Sequence, residues 1–305
     1  MIRAGVIHNP RSRHNRGAEP PRASAGVLVE APRGRQALDE TLARFAAAGV
    51  DLLVVDGGDG TVREVLTRTP RHFKHAPPAL AVLPSGKTNA LAFDLDAPRD
   101  WPLEAVLESA RQGRFRTRRP LEVVRAGEAT PLVRGFIFGA GAFVRATDLA
   151  QRTHRMGAFE EVAVGLTLGV AVFRTLFGGP RSGWRAGEPM QLAFDGDEAG
   201  HDGCVFLLLA STLERLPLGV QPFGPPNSGA LRSLAVEAPP KRLLSVLPRL
   251  LSGAEAPWLA ASGYHQREFE RLDVTLETSF VLDGETFPGG ELTLRRGAPL
   301  EFVAP

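Results

Sequence analysis

The chain has 305 residues, 43% of them hydrophobic and 23% charged, a balance that excludes extensive disorder and exceeds what one core usually holds, so two domains are expected. The formal charge is +2, and Lys74, Lys87 and Lys241 are the only lysines; with no basic run interleaved with aromatics, this arginine usage reads as a GC-rich genome and not as nucleic-acid binding. A single cysteine, Cys204, excludes an internal disulfide or a multi-cysteine metal site and fits a reducing cytoplasm.

The opening MIRAGVIHNP is too short, and too soon broken at His8-Asn9-Pro10, for a signal peptide. It reads instead as the first of four short apolar strands, at 3–8, 25–31, 51–56 and 79–84, each closed by turn residues. Between the second and third, Leu38, Leu42 and Phe45 share one face of a helix that Gly49 would end. Further helices are expected after Thr61 and after Ser85. Alternating strands and helices imply a parallel sheet covered on both faces, with any ligand at the carboxyl ends of the strands. Beyond residue 115 the pattern becomes successive strands, read as an antiparallel β-sandwich. Two helical patterns, 157–177 and 241–253, interrupt it. The longest apolar stretch, 162–173, falls short of the roughly 18 to 20 residues that span a bilayer. The expected organisation is an α/β amino-terminal domain, 1–115, with a parallel sheet and flanking helices, and a carboxy-terminal antiparallel β-sandwich, 116–305.

Within the first domain, VVDGGDGTVREV runs from a strand through Gly57, Gly58, Asp59, Gly60 and Thr61 into a helix. Three glycines in four positions let backbone N–H groups approach an oxygen-rich ligand, and the helix N-terminus adds partial positive charge, so a phosphate site is expected. Asp59 suits bare phosphate poorly, which points to Mg²⁺ or a ribose hydroxyl beside it. The same residues also read as a plain strand-to-helix turn with Asp59 as a cap. Downstream, LPSGKTNALA contains G-K-T but is no Walker loop: the required early glycine is Ala81, inside a strand, and Pro84 removes a donor.

NPRSR at 9–13, GGDGT at 57–61, PSGKTN at 84–89 and DGE at 283–285 occur in the order and spacing of the diacylglycerol kinase catalytic-domain family, which the chain resembles. That family includes sphingosine and ceramide kinases and shares G-G-D-G-T with NAD kinases. The resemblance implies ATP and Mg²⁺ as cofactors and a lipid alcohol as acceptor. It places Asn9 and Ser12 at the crevice, with Arg11, Arg13, His14 and Arg16 as a basic rim. Gly86 and Asn89 match the second nucleotide loop, with Lys87 where the family carries threonine. Asp283 becomes the candidate general base and Glu285 its supporting acid; without the family, the same residues read as a D-G hairpin with surface acids.

Three departures stand beside the match. Arg13 replaces a glycine. Asn227, Ser228 and Arg232 stand where the family often has the acids of a second-domain Mg²⁺ site, so that metal is not expected. Asp148 is the only acid close behind the GAGAF segment. For acyl chains, residues 157–179 could line an apolar slot with 152–155 at headgroup level, and KRLLSVLPRLLSG has the composition of an interfacial helix; both also read as core-facing helices. The expected protein is a cytoplasmic lipid kinase that touches a membrane surface. Its acceptor is a ceramide-like or other sphingolipid, diacylglycerol or undecaprenol. An NAD kinase-like soluble enzyme and a lipid-binding pseudokinase are the alternatives.

Overall fold

The computed structural model describes residues 2–74, 76–155, 185–195, 200–224, 230–254 and 256–305. The helical pattern expected at 157–177 therefore lies outside the described residues, as do Asn227 and Ser228.

A six-stranded sheet builds the first domain. Its strands β1 (Ala4–His8), β2 (Val27–Glu30), β3 (Leu52–Gly57) and β4 (Ala79–Pro84) are the four expected ones, paired in parallel in the order β2-β1-β3-β4. Every residue of β1 and β3 is buried, the mark of strands covered on both faces and the reason they read as continuous apolar runs. Helix α1 (Arg35–Ala47) buries Leu38, Thr41, Leu42 and Phe45, and Gly49 follows it at φ 69°, the left-handed position a helix terminator needs. Helix α2 (Asp59–His72) starts two residues before the expected Thr61, because an extended Gly58 already serves as its N-cap. Helix α3 (Ala90–Asp94) starts later than expected, behind a left-handed Asn89. Helix α4 (Leu103–Arg111) completes the layer.

Two further strands join this sheet that the sequence pattern did not assign to it. β5 (Phe115–Arg118) forms its edge, and β15 (Leu300–Val303), the last strand of the chain, inserts between β4 and β5, parallel to β4 and antiparallel to β5. The division expected at 115/116 thus cuts through the first sheet. Phe302 and Val303 are fully buried, and burying them requires a long-range return that local periodicity does not record.

The second domain is antiparallel throughout, as expected. Strands β6 (Leu121–Arg125), β7 (Val133–Gly135), β8 (Ile137–Gly141), β9 (Glu188–Phe194), β10 (His201–Ser211), β11 (Leu231–Glu237), β12 (Tyr264–Phe269), β13 (Arg271–Leu282) and β14 (Glu285–Arg296) form one hydrogen-bonded network. Helix α5 (Ala142–Arg155) leaves β8 directly. KRLLSVLPRLLSG becomes the helix Leu243–Ser252, which buries Val246 and Leu250 and leaves Leu244 66% exposed. Arg232 is buried and donates through Nη2 to the carbonyl of Leu213 at 2.7 Å, so at that position a guanidinium organises the loop after β10.

One core joins the domains. Phe136 and Leu213 from the second pack with Leu91, Leu95 and Phe302 of the first, and the rings of Phe136 and Phe302 meet edge to face at 6.2 Å. Buried Asp94 of α3 accepts from Arg118 of β5 and from the backbone N–H of Arg215. These contacts fix the β7–β8 corner against the first sheet, and that corner holds the acid hairpin.

Candidate active site

The carboxyl ends of β1, β3 and β4 carry the three glycine- and proline-marked loops, side by side. At the first, Asn9 donates from Nδ2 to Thr61 Oγ1 at 2.8 Å and accepts from the backbone N–H of Arg11 at 3.0 Å, while Ser12 is buried. Asn9 therefore clasps the first loop to the start of α2. Gly57 ends β3, Gly58 caps α2, and Gly60 and Thr61 lie in its first turn. Gly86 packs against Gly58: a Cβ on Gly86 would come 2.4 Å from Gly58 Cα, well inside van der Waals contact, so two glycines are needed for the loops to touch. Asn89 spends its amide within its own loop, accepting from Gly86 N–H at 2.8 Å and donating to the carbonyls of Pro84 and Gly86 at 3.2 Å each. Lys87 is exposed and does not line the adjoining cleft.

The second domain delivers the acids. β13 and β14 pair with Leu282 opposite Glu285, which leaves Asp283 and Gly284 as a two-residue turn with φ of 45° and 78°, the Asp-Gly geometry that suits the strand twist. The Asp283 carboxylate turns inward and accepts from the backbone N–H groups of Phe136 (3.1 Å) and Ile137 (2.9 Å). A Cβ at Gly135 would lie 2.3 Å from Asp283 Oδ2, so the absence of a side chain there makes room for the acid. Gly135→Ala is accordingly expected to displace this carboxylate and lower kcat about tenfold or more, the scale of a sub-ångström to ångström misplacement; turnover at saturating nucleotide checks it, and wild-type turnover would contradict it.

Glu285 points elsewhere. Arg63 of α2 donates to it through Nη2, and Arg35 of α1 reaches it at 3.2 Å. Arg63 is buried and spans the whole junction: its Nη1 also donates to the carbonyls of Leu282 and Asp283 at 3.2 and 3.3 Å, and its guanidinium lies 5.6 Å over the ring of Phe287. Asp283 and Glu285 thus occupy one hairpin but have separate partners. Sequence reading missed Arg63, although it stands four residues after Asp59 and so on the same helix face. It also missed Arg35 and Glu64, whose carboxylate meets both Arg35 and Arg68.

Electrostatically, Asp59 and Asp283 belong together. Burial first, and then the negative charge of Asp59, push Asp283 up to about 7 against the backbone N–H groups of Ile137 and Phe136 and the charge of Arg63. Asp59 is also raised by burial, opposed by the backbone N–H groups of Ala90, Leu91 and Asn89 at the start of α3, across the loop junction. Gly58 is the N-cap of α2, so the expected reading of Asp59 as the cap of its own helix is not realised. Between about pH 4 and 7 the folded protein keeps on Asp283 a proton that the unfolded chain has lost, so stability falls as pH rises through that window and levels off above it. In metal-free buffer, thermal unfolding from pH 5 to 7.5 should show this decline in the wild type relative to Asp283→Asn; parallel curves would contradict it.

A cleft of about 470 Å³ opens between these elements, lined by Asn9, Arg11, Ser12, Arg33, Arg35, Gly58, Gly60, Thr61, Glu64 and Glu285 among others. That volume suits a nucleotide-sized ligand. Among the described residues no three acidic, histidine or cysteine groups converge, so a dedicated metal cage is not formed. Asp59 nonetheless suits Mg²⁺, which is held through one or two carboxylates together with substrate phosphates, and a cation there would relieve its repulsion with Asp283. Asp148 is exposed on α5 and does not line the cleft.

Glycine loops at the carboxyl edge of a parallel sheet, faced by an acid hairpin from an antiparallel domain, define a two-domain kinase-like architecture. Residues 3–123 match the family model of the diacylglycerol kinase catalytic domain. The whole chain superposes on the crystal structure of a diacylglycerol kinase from Bacillus anthracis str. Sterne with a TM-score of 0.64 and 15% identity, over 99% of this chain and 97% of that one. Two further structures from the same organism give TM-scores of 0.68 and 0.66 at 14% identity with the same coverage. At this identity the likeness establishes the fold. No curated protein matches the chain.

Proposed function

We propose that the protein is an ATP-dependent lipid kinase that phosphorylates the primary hydroxyl of a lipid alcohol. One observation carries the reading: Asp283, a carboxyl pushed up to about 7, is set on a hairpin against the glycine loop of Asp59, beside a cleft of nucleotide size. A base in that range is matched to work at neutral pH.

In this reading the cleft takes ATP, with the backbone of Gly58 and Gly60 and the hydroxyl of Thr61 toward the phosphates and Arg11, Arg33 and Arg35 as charge compensation. Bound Mg²⁺, held by Asp59 with phosphate oxygens, would neutralise charge on the transferring group. The Asp283 carboxylate orients the lipid hydroxyl and takes its proton as that oxygen bonds to the γ-phosphorus; the bond from phosphorus to the β–γ bridging oxygen breaks and ADP leaves. Phe136 and Ile137 N–H groups hold the carboxylate in line, and Arg63 holds the turn that carries it. Glu285 is the anchor of Arg63 and Arg35 and acts on Asp283 through them.

The acceptor is diacylglycerol-like or ceramide-like. Access to it is through the cytoplasmic membrane surface, where the helix Leu243–Ser252 offers exposed Leu244 beside Lys241 and Arg242. Among the described residues no helix is long and apolar enough to cross a membrane. The test is transfer of radiolabelled γ-phosphate from ATP, with Mg²⁺, to diacylglycerol, ceramide, sphingoid base and undecaprenol in mixed micelles. Labelled lipid monophosphate from at least one is expected. Labelling of NAD without detergent would instead favour the NAD kinase-like alternative, and nucleotide binding without transfer to any acceptor a pseudokinase.

A further inference from the structure

Beneath the nucleotide loops lies a polar cluster that the reaction above does not use. His8 and Asp56 are register partners at the ends of adjacent parallel strands β1 and β3, and both are buried. His8 Nδ1 lies 2.6 Å from Asp56 Oδ2, so that nitrogen carries the proton. The other carboxylate oxygen accepts from Asn15 Nδ2 at 2.9 Å and from the Ser85 hydroxyl. Asn15 Nδ2 also reaches the carbonyls of Asn9 and Asp56, at 3.1 and 3.2 Å. Backbone bonds extend the web: Asn9 N–H donates to the Asp56 carbonyl at 2.9 Å, His14 N–H to the Ser85 carbonyl at 3.1 Å and Ser85 N–H to the Gly57 carbonyl at 3.2 Å.

We propose that Asp56 is a positioning residue for nucleotide binding: through His8, Asn15 and Ser85 its carboxylate ties the loops that follow β1, β3 and β4 into one preset cradle. The proposal rests on the kinase reading of the cleft and deepens it. Three donors from two different loops and a neighbouring strand converge on one buried carboxylate, and each donor sits within a few residues of a group lining or abutting the cleft: His8 lines it directly, Asn15 follows Ser12, and Ser85 precedes Gly86. Asp56 and Ser85 also border a second cavity, of about 410 Å³, so the cluster forms the wall between two openings where apolar side chains would serve the fold equally well. Buried ion pairs commonly stabilise no better than apolar replacements of similar volume; what an apolar pair does not supply is the directional bond to each loop.

The test separates positioning from stability. In the double variant His8→Leu, Asp56→Val, the fold should persist with a modest loss of thermal stability from the Asn15 and Ser85 donors that lose their acceptor, while binding of a non-transferable ATP analogue with Mg²⁺, measured by calorimetry, weakens about 10- to 100-fold, the scale of an ångström of misplacement. A retained fold with unchanged affinity overturns the proposal. Should the double variant not fold, Ser85→Ala removes a single tie to the third loop: weaker analogue binding with little change in stability supports the proposal, and wild-type binding overturns it. A wild-type protein that binds no nucleotide would overturn the kinase reading itself, a result seen before any substitution is made.

Discussion

Asp283→Asn is expected to lower kcat by about 10²- to 10⁴-fold, the contribution of a positioned base, with the fold intact. Asparagine has nearly the same shape, and its Oδ1 can still accept from the N–H groups of Phe136 and Ile137 that now hold the carboxylate. What it loses is the capacity to take a proton. It also removes the repulsion between Asp283 and Asp59, so metal-free stability at pH 7 should rise or stay level while activity collapses. Nucleotide affinity should change less than turnover, because Asp283 does not line the cleft proposed for the nucleotide. Turnover within about threefold of the wild type would remove Asp283 from the chemistry, since no effect of the size assigned to a base would remain.

Arg63→Met is expected to produce the second largest loss, about 10- to 100-fold in kcat, through position and not through contact with the substrates. The ion pair with Glu285 contributes little to this, since Glu285 is 42% exposed and such pairs are worth less than about 1 kcal/mol. The damage lies in the carbonyls of Leu282 and Asp283, which lose a charged donor, and in the turn they belong to. A destabilisation of about 1–3 kcal/mol accompanies it. Arg63→Lys should recover only part of the activity, because a single ammonium cannot span three acceptors as a planar fork does. Measured kcat and thermal stability for both variants check this; wild-type kcat in Arg63→Met would show that the turn is held without it.

The residues that could be read along the chain are those whose chemistry is local. Four strands of the first sheet announced themselves as apolar runs because burial on both faces leaves no polar alternation, and α1 did so by Leu38, Leu42 and Phe45. The glycine loops were legible because few residues other than glycine allow their backbone approaches, and the DGE triplet because Asp-Gly makes a two-residue hairpin turn. The features that escaped depend on distant pairing. β15 carries only two fully buried apolar residues, and its place between β4 and β5 follows from nothing adjacent to it. Asn89 was matched to the second nucleotide loop, and the left-handed backbone at that position turns its amide onto its own loop. Asp59 was read against the helix it begins, whereas the backbone N–H groups that favour its charge are those at the start of α3, across the junction where Gly58 and Gly86 touch. The resemblance made Glu285 the supporting acid of Asp283, and the arginines that meet it, Arg63 and Arg35, lie more than two hundred residues earlier.

The central claim is that one cleft joins the glycine loops of the first domain to the acid hairpin of the second. The most direct measurement is a crystal structure of the protein with Mg²⁺ and a non-transferable ATP analogue. The account predicts the phosphates along Gly58, Gly60 and Thr61, with the terminal phosphate and Mg²⁺ reaching the carboxylates of Asp59 and Asp283. Nucleotide bound at any other surface, or in this cleft with its terminal phosphate turned away from Asp283, would contradict it.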